Sequence, residues 1–314
     1  MLDVRKLRLL RELDRLGTIA AVAEALSYTP SAVSQQLAAL ERETGRKLLN
    51  RTGRRVSLTP TASVLVDHTE RVLAELERAE AALAADTAGT ASTVRLGAFP
   101  TALRTVVLPA MADLGRTHPD LAMSVVEVDP ADVPDLLRGG DLDVALVHEY
   151  DNVPSIAGPG VELEPLLDEV VYLATTTAPR DSADLTVVRE HANSRWIAGN
   201  PGTLCHTMTL RTCQSQGFEP RVAHSVDDFG AVLDLVAAGG GVALVPQLGT
   251  IDVPAAATLT ALPLHRRTRI ACRQGSRSRP AFAAVSAALR HAVRNFARGG
   301  FRGEPGGGAS KRLP

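Results

Sequence analysis

The sequence predicts a protein in two parts: a small helical N-terminal domain that ends in one long helix, and a larger C-terminal α/β domain of two lobes. Three observations predict this fold class. Residues 1–60 contain short helical segments with apolar residues at helical spacing. Residues 61–85 form a helical pattern without Gly or Pro. From residue 93 onward, β-prone runs alternate with helical ones, as in a sheet covered by helices.

Two capping residues define the first helices. Thr18 can accept a hydrogen bond from an unpaired backbone N–H, and Ile19 and Ala23 follow at helical spacing. Thr29 is a second cap, and Pro30 takes the first helical position, where its missing N–H costs little. The sequence therefore predicts a short helix, a tight turn and a further helix.

The helix that begins at Pro30 has a polar face at its start. Its inward residues are predicted to be Val33, Leu37 and Leu40, which leaves short hydroxyl and amide side chains on the other face. Such side chains suit base edges in a DNA groove, and they are Thr29, Pro30, Ser31, Ser34 and Gln35. Gln35 is the candidate for direct base reading. The alternative is an ordinary solvated face of an amphipathic helix.

A basic hairpin follows, in which Gly53 permits a tight turn beside Arg51, Arg54 and Arg55. A wing that lies along phosphates or in a minor groove needs such a cluster, although a solvated charge run is the alternative. Residues 1–60 carry eleven Lys and Arg against six Asp and Glu, or +5, whereas the remainder carries −6. This asymmetry favours a nucleic-acid-binding module, so the segment predicts a winged helix-turn-helix that binds double-stranded DNA.

Three segments carry a resemblance to a known family: LDVRKLRLLREL, ALSYTPSAVSQQLAALERETG and LLNRTGRRVSLTPTA. They resemble the N-terminal domain of LysR-type transcriptional regulators, and the resemblance extends over nearly the whole chain. It implies a sequence-specific transcriptional regulator that is controlled by a small-molecule effector. It also implies a periplasmic-binding-protein-like effector domain, a homodimer or homotetramer, and RNA polymerase as a further partner.

The long helix is predicted to pair with a second copy of the chain. Two rows of apolar or small residues recur every seven positions, with Thr69 as a polar interruption: Leu65, Val72 and Ala79, and Leu76 and Leu83. The alternative is an amphipathic helix that lies on its own domain. A dimer would place two recognition helices on successive turns of DNA and would imply a partly palindromic operator.

The predicted domain boundaries are 1–60 for the winged helix-turn-helix, 61–86 for the linker helix, 87–92 for a hinge, 93–298 for the effector domain and 299–314 for a disordered tail. Within the effector domain, strands are predicted near residues 94–98, 122–128, 144–148, 170–174, 195–198, 222–225, 242–245 and 268–272. Alternation with helices predicts a parallel sheet, and the chain returns to its first lobe through crossing strands.

Ligands of open α/β sheets bind at the carboxyl ends of the strands, next to the starts of helices. Two such turns, around Thr101 and Thr203, could supply a hydroxyl from each lobe, although helix capping alone is the alternative. The family resemblance places the effector pocket at both turns. The candidate effector-binding residues are Pro100, Thr101, Ala102, Val147, His148, Thr203 and Asp227.

Several other functions lack support in the sequence. It has no GxSxG, P-loop or HExxH motif and no metal-ligand spacing, so we expect no enzyme, no cofactor and no metal. The rival hypothesis is a catalytic α/β domain that turns its ligand over. Three cysteines and no membrane-length apolar run predict a cytoplasmic protein with reduced thiols. Cys205 and Cys213 share one predicted helix, either as buried structural thiols or as a redox switch.

Overall fold

The computed structural model describes residues 2–52, 55–85, 92–153, 158–177 and 184–298, which divide into two compact units. The first unit contains residues 2–85 together with 158–162 and 273–279. The second unit contains the other described residues.

The first unit has the predicted order of helices and a hairpin: α1 (Val4–Leu16), α2 (Ile19–Ala25), α3 (Pro30–Thr44), β1 (Leu49–Thr52), β2 (Arg55–Leu58) and α4 (Pro60–Ala85). Both predicted caps are present, because Thr18 Oγ1 accepts from the N–H of Ala21 and Thr29 Oγ1 accepts from that of Ala32, each at 3.2 Å. Each cap satisfies one of the donors that a helix start leaves unpaired.

One apolar core joins these helices to the hairpin. Val33, Leu37 and Leu40 of α3 are fully buried in it, as their spacing predicts. Glu41 Oε1 accepts hydrogen bonds from the backbone N–H groups of Leu48 (2.8 Å) and Leu49 (3.1 Å), which fixes the start of the hairpin against α3. The inner face of α3 is therefore packed, and the polar residues at its start lie on the outer face.

Helix α4 has two different faces. In its N-terminal half, Ala62, Val66 and Thr69 are buried, and in its C-terminal half Ala74 and Ala81 are buried. Thr69 is 1% exposed, and its hydroxyl donates to Leu65 O at 2.8 Å. Thr69 is thus covered by its own chain, and the intermolecular seam stays a prediction. In the C-terminal half, the side opposite Ala74 and Ala81 exposes Leu76 and Leu83, and Val72 is exposed just before them.

The second unit alternates strands and helices. Its first elements are β3 (Ser92–Ala98), α5 (Pro100–Ala102), a π-helical turn (Leu103–Val107), α6 (Leu108–Thr117), β4 (Leu121–Glu127), α7 (Val133–Gly139) and β5 (Val144–Tyr150). After the long β6 (Val161–Thr175) come α8 (Thr186–Arg189), β7 (Arg195–Ala198), α9 (Leu204–Ser215), β8 (Arg221–Ser225), α10 (Phe229–Ala237) and β9 (Val242–Pro246). The long β10 (Thr258–Arg273) and α11 (Pro280–Arg298) complete the unit.

The strands form one eight-stranded sheet in the order β4-β3-β5-β10-β6-β9-β7-β8. Strands β3, β4 and β5 are parallel, and so are β7, β8 and β9. The prediction of a parallel sheet is corrected in part, because β10 pairs antiparallel with β5 and β6 pairs antiparallel with β9. The two crossing strands join the parallel sets, so the predicted two-lobed α/β architecture is confirmed with a mixed sheet.

Each lobe has its own apolar core. In the first lobe, β3, β5, α6 and α11 pack around Leu96, Leu146 and Leu289. In the second lobe, two adjacent clusters are centred on Trp196 and on Ile197. None of the helices in the described part of the chain is long and apolar enough to cross a membrane.

Candidate ligand cavity and nucleic-acid interface

A cavity of about 200 Å³ opens in the second unit where the two lobes meet. The first lobe contributes residues that follow β3 and β4, and the second lobe contributes residues that follow β7 and β8. The lining consists of Phe99, Pro100, Thr101, Glu127, Val128, Asp129, Pro130, His148, Thr203, Leu204, Cys205, Asp227, Phe229 and Arg266. The carboxyl ends of parallel strands thus supply both sides of the cavity.

The inner wall of the cavity contains Arg266, which forms a buried ion pair. Arg266 donates from Nε and Nη2 to the carboxylate of Glu169 at 2.9 and 2.8 Å, and both residues are almost fully inaccessible. Burial opposes the charge of Arg266, but adjacent Glu169 outweighs it and raises the pKa of the guanidinium. Glu169 also accepts from Thr268 Oγ1 and from Leu248 N, each at 2.9 Å. A buried pair needs such additional hydrogen bonds to offset its desolvation.

Thr101 and Thr203 take different roles at the two predicted turns. Thr101 Oγ1 accepts from Arg266 Nη2 at 3.2 Å, so its own proton is free to donate into the cavity. Thr203 Oγ1 accepts from His206 N at 3.2 Å and caps α9. The hydroxyl of Thr203 is therefore used to cap α9, whereas the hydroxyl of Thr101 is bound by Arg266, which is distant in sequence.

Asp227 is bound to the turn that precedes α9. Its Oδ1 accepts from Asn200 N at 2.8 Å, and its Oδ2 accepts from Asn200 Nδ2. This close approach needs glycine at position 199, where a Cβ atom would lie 2.8 Å from Thr203 Oγ1 and 3.0 Å from Asp227 Oδ1. Gly199 thus allows two second-lobe lining residues to converge.

His148 is buried at 4% exposure between two aromatic rings. Its ring centroid lies 4.6 Å from that of Phe99 and 5.3 Å from that of Tyr150. Burial, together with the charge of Arg266, lowers the pKa of His148 well below its usual value, so the imidazole is neutral at physiological pH. Among the described residues, His148 Nδ1 has no hydrogen-bond partner.

The two thiols of α9 are not activated. Cys205 Sγ borders the cavity and lies 3.3 Å from the Tyr150 hydroxyl, and burial raises its pKa. Cys213 lies in the second-lobe core, and burial raises its pKa to about 12. Because a thiolate is the reactive form of cysteine, neither thiol has the environment of a reactive cysteine.

The cavity gathers five of the seven predicted effector-binding residues: Pro100, Thr101, His148, Thr203 and Asp227. Ala102 lies instead in the first-lobe core, and Val147 is buried. Neither borders this cavity among the described residues. Side chains alternate along a strand, so Val147 cannot face the same side as His148. Ala102 points inward because it occupies the first turn of a helix packed on the sheet.

Sequence reasoning missed the most buried polar groups of the site. Arg266 and Glu169 are 97 positions apart, and each lies in a strand whose length the sequence did not indicate. Glu127 and Asp129, which follow β4, were also missed. No local pattern singled out Arg266 or Glu169, because each of the two strands carries several other charged residues.

The candidate DNA surface is the start of α3. Thr29, Pro30, Ser31 and Gln35 are exposed, and Ser34 is half-buried. Arg51 and Arg55 lie in the strands of the hairpin, but their side chains, like the whole of Arg54, lie outside the described part of the structure. Three exposed basic residues that sequence reasoning did not select lie around the same concavity as Gln35: Arg42, Arg46 and Lys47.

A metal centre finds no support in the described residues, which contain no group of three or more His, Cys, Asp or Glu arranged to hold an ion.

Both parts of the chain match family models. The model described as bacterial regulatory helix-turn-helix protein, lysR family, matches residues 4–63. The model described as LysR substrate binding domain matches residues 87–294. With the winged helix-turn-helix and the two-lobed cavity, these matches define a DNA-binding transcriptional regulator with a substrate-binding domain. The chain belongs to the LysR family.

Individual relatives agree with this assignment. A probable hydrogen peroxide-inducible genes activator of Streptomyces viridosporus is 30% identical over 318 residues, which cover 93% of this chain and 98% of the relative. The transcriptional dual regulator GltC of Bacillus subtilis is 27% identical over 248 residues, which cover 78% of this chain and 81% of GltC.

Solved structures share the fold. A peroxide-bound mutant of Corynebacterium glutamicum OxyR matches with a TM-score of 0.58 and 22% identity, over 97% of this chain and 98% of that chain. Full-length CbnR in complex with its target DNA matches with a TM-score of 0.53 and 19% identity, over 93% and 100%.

Proposed function

We propose that this regulator is controlled by a small-molecule effector that binds between the two lobes of its C-terminal domain. The observation that carries the proposal is the cavity itself, because its walls come from both lobes and converge on the buried Arg266. A ligand there contacts both lobes at once, so its binding energy depends on their arrangement. Effector binding and operator binding are then coupled, and each changes the affinity of the other by the same factor.

The DNA-binding part of the proposal rests on α3 and the hairpin. Thr29, Pro30, Ser31, Ser34 and Gln35 are proposed to face the major groove, with Gln35 as the direct reader of a base. Arg51, Arg54 and Arg55 are proposed to contact phosphates or the minor groove. Arg42, Arg46 and Lys47 add positive charge beside Gln35 and are further candidates for phosphate contacts.

A homo-oligomer is the proposed working form. The exposed apolar residues Val72, Leu76 and Leu83 lie on one face of α4, and a second copy of the helix would cover them. Whether two or four chains assemble, each pair would present two recognition helices to two half-sites. RNA polymerase is the proposed partner at the promoter. Effector binding would alter the spacing of the two winged helix-turn-helix domains on DNA, and this change would affect the access of the polymerase to the promoter.

Peroxide is the signal in the name of one relative, but the thiols favour a different signal here. Burial raises the pKa of Cys205 and of Cys213, so both thiols are protonated at neutral pH. Oxidation by peroxide proceeds through the thiolate. We therefore propose a reversibly bound ligand.

The proposal is tested first on DNA. Sequences selected from a random duplex pool with the full-length protein should form an interrupted palindrome. On this operator, Gln35→Ala should change the preferred base at one position in each half-site. Arg54→Ala should lower the affinity for all DNA sequences by a similar factor. It should also reduce the slope of log affinity against log salt by about 0.9 for each phosphate that the variant no longer neutralises. A uniform loss of affinity in Gln35→Ala would contradict the assignment of base reading.

Effector control is tested with the same operator. Metabolite mixtures are screened by thermal shift, and each compound that stabilises the protein is added to an operator-binding titration. A compound that binds in the cavity should change operator affinity or promoter output, and Phe99→Ala should reduce its binding. If binding compounds leave both operator affinity and promoter output unchanged, control through this cavity is excluded.

A further inference from the structure

The charged groups of the cavity are divided between its inner wall and the strand ends that flank it. Arg266 is the one cationic side chain of the described lining, and Glu169 neutralises it from outside the cavity. Three lining residues carry carboxylates, namely Glu127, Asp129 and Asp227. None of the three forms an ion pair with a cation in the described part of the chain.

The inner wall has two unused donors. Arg266 uses Nε and Nη2 for Glu169 and Thr101, whereas its Nη1 has no acceptor among the described residues. The residue lines the cavity and is only 1% exposed, so a ligand in the cavity, rather than bulk solvent, is available to accept from this donor. Because Thr101 Oγ1 accepts from Arg266, its hydroxyl proton is the second donor. A guanidinium N–H beside a hydroxyl suits one carboxylate.

The acidic groups require the opposite charge. Asp129 is half-buried, and Glu127 and Asp227 are exposed. Asp129 and Asp227 both act electrostatically on Cys205, which places their negative charge at the cavity beside Leu204 and Cys205. A ligand with only a carboxylate would meet uncompensated repulsion from them, whereas an ammonium group would neutralise it.

The cavity is small, and much of its remaining lining is apolar. Phe99, Val128, Leu204 and Phe229 contribute to this lining, and the neutral His148 adds no charge. A volume of about 200 Å³ lies below the roughly 300–1,000 Å³ of pockets for drug-sized ligands, so the ligand is of small-metabolite size.

We infer that the effector is an α-amino acid, with its carboxylate toward Arg266 and Thr101, and its ammonium group toward Glu127, Asp129 and Asp227. This inference rests on the proposed function, since it names the chemical class of the ligand of the same cavity. A zwitterion is the smallest molecule that satisfies the donors of the inner wall and the carboxylates together.

The test compares matched ligands on the full-length protein. The twenty standard L-amino acids are screened by thermal shift, and the strongest is titrated beside its des-amino acid and its decarboxylated amine. For L-leucine these are 4-methylpentanoate and 3-methylbutylamine. The amino acid should bind at least tenfold more tightly than either analogue.

Variants separate the two charged regions. Glu127→Gln combined with Asp129→Asn should reduce the affinity for the amino acid tenfold or more. The affinity of this double variant for 4-methylpentanoate should equal or exceed that of the wild type. Thr101→Val keeps the side-chain shape but removes the hydroxyl donor. This variant should bind the amino acid and 4-methylpentanoate more weakly, and its affinity for 3-methylbutylamine should not change. Asp228→Asn is the matched control, because Asp228 neighbours Asp227 in sequence, caps α10 through Ala231 N and does not line the cavity.

Each contrary result has its own meaning. If 4-methylpentanoate or 3-methylbutylamine binds as tightly as L-leucine, the zwitterion inference is overturned while the cavity remains a ligand site. If none of the twenty amino acids binds, the inference is likewise overturned, and the broader metabolite screen decides separately whether the cavity binds another effector. If affinity falls equally in Asp228→Asn, the charge effect does not come from the cavity.

Discussion

Glu169 accepts four hydrogen bonds from three residues, which makes it the residue that organises the inner wall of the cavity. Two bonds come from Arg266, one from Thr268 and one from the backbone of Leu248. Through Arg266 the same carboxylate also orients Thr101. A single side chain therefore links β6, β10, α5 and the segment after β9.

Glu169→Gln should destabilise the second unit by about 3–5 kcal/mol, because it leaves the Arg266 charge buried without a counter-charge. Urea unfolding followed by tryptophan fluorescence measures this directly, since Trp196 is the single tryptophan and is fully buried there. Asp113→Asn, which breaks the ion pair with the exposed Arg116, is the control and should cost at most about 1 kcal/mol. Equal effects of the two substitutions would contradict this role of Glu169.

The buried His148 predicts a pH dependence of stability. Its folded-state pKa is lowered, so above about pH 6.5 the imidazole is neutral in both states. Below that pH the unfolded chain gains a proton that the folded chain does not, and stability falls as pH decreases. His148→Gln should remove up to about 1.4 kcal/mol per pH unit from this slope between pH 6 and 5. His118→Gln changes an exposed histidine and is the control. If the stability of His148→Gln depends on pH with the same slope as that of the wild type, the prediction is refuted.

Among the elements, α4 carries the clearest prediction for assembly. Leu76 and Leu83 are 45% and 73% exposed, yet they lie seven residues apart on one face. The opposite side of this part of the helix is buried at Ala74 and Ala81. Such a helix is packed on one side and open on the other, as an intermolecular seam requires.

Leu76→Asp should convert the oligomer to a monomer of 33.1 kDa in light scattering at micromolar concentration. Each chain loses about 1.5–3 kcal/mol of apolar burial, and a symmetric seam loses it twice. Glu75→Ala, at the exposed position just before Leu76, should leave the mass of the oligomer unchanged. If Leu76→Asp keeps the wild-type mass, the seam lies elsewhere.

At the scale of the whole molecule, assembly sets the geometry of the operator. Two recognition helices held by one dimer should engage half-sites about 10–10.5 base pairs apart, centre to centre, or a multiple of that spacing. Insertion of five base pairs between the selected half-sites should lower affinity towards that of one half-site, because it turns the second site to the far face of DNA. Insertion of ten base pairs is the control and should recover part of the affinity. An equal fall in affinity with both insertions would argue against a fixed spacing.

The helices of the N-terminal domain could be predicted from the sequence because the residues that define them are close together in the chain. The caps at Thr18 and Thr29 act within three residues, and the inward positions Val33, Leu37 and Leu40 follow from helical spacing alone. The bounds of the strands were harder to predict from the sequence. Only the C-terminal parts of β6 and β10 were predicted, because polar residues in the earlier parts concealed the continuity of these strands.

The sequence by itself determined the winged helix-turn-helix, the long helix, the alternation of strands and helices, and the family to which the chain belongs. Each of these depends on residues within a few positions of one another, where propensity and spacing decide the outcome. Only the tertiary structure decided that Arg266 of the cavity wall pairs with the buried Glu169, that Val147 faces away from the cavity, and that Thr69 is buried. The features of the cavity depend on which strands become neighbours, because that pairing joins residues about a hundred positions apart, whereas the burial of Thr69 depends on how α4 packs.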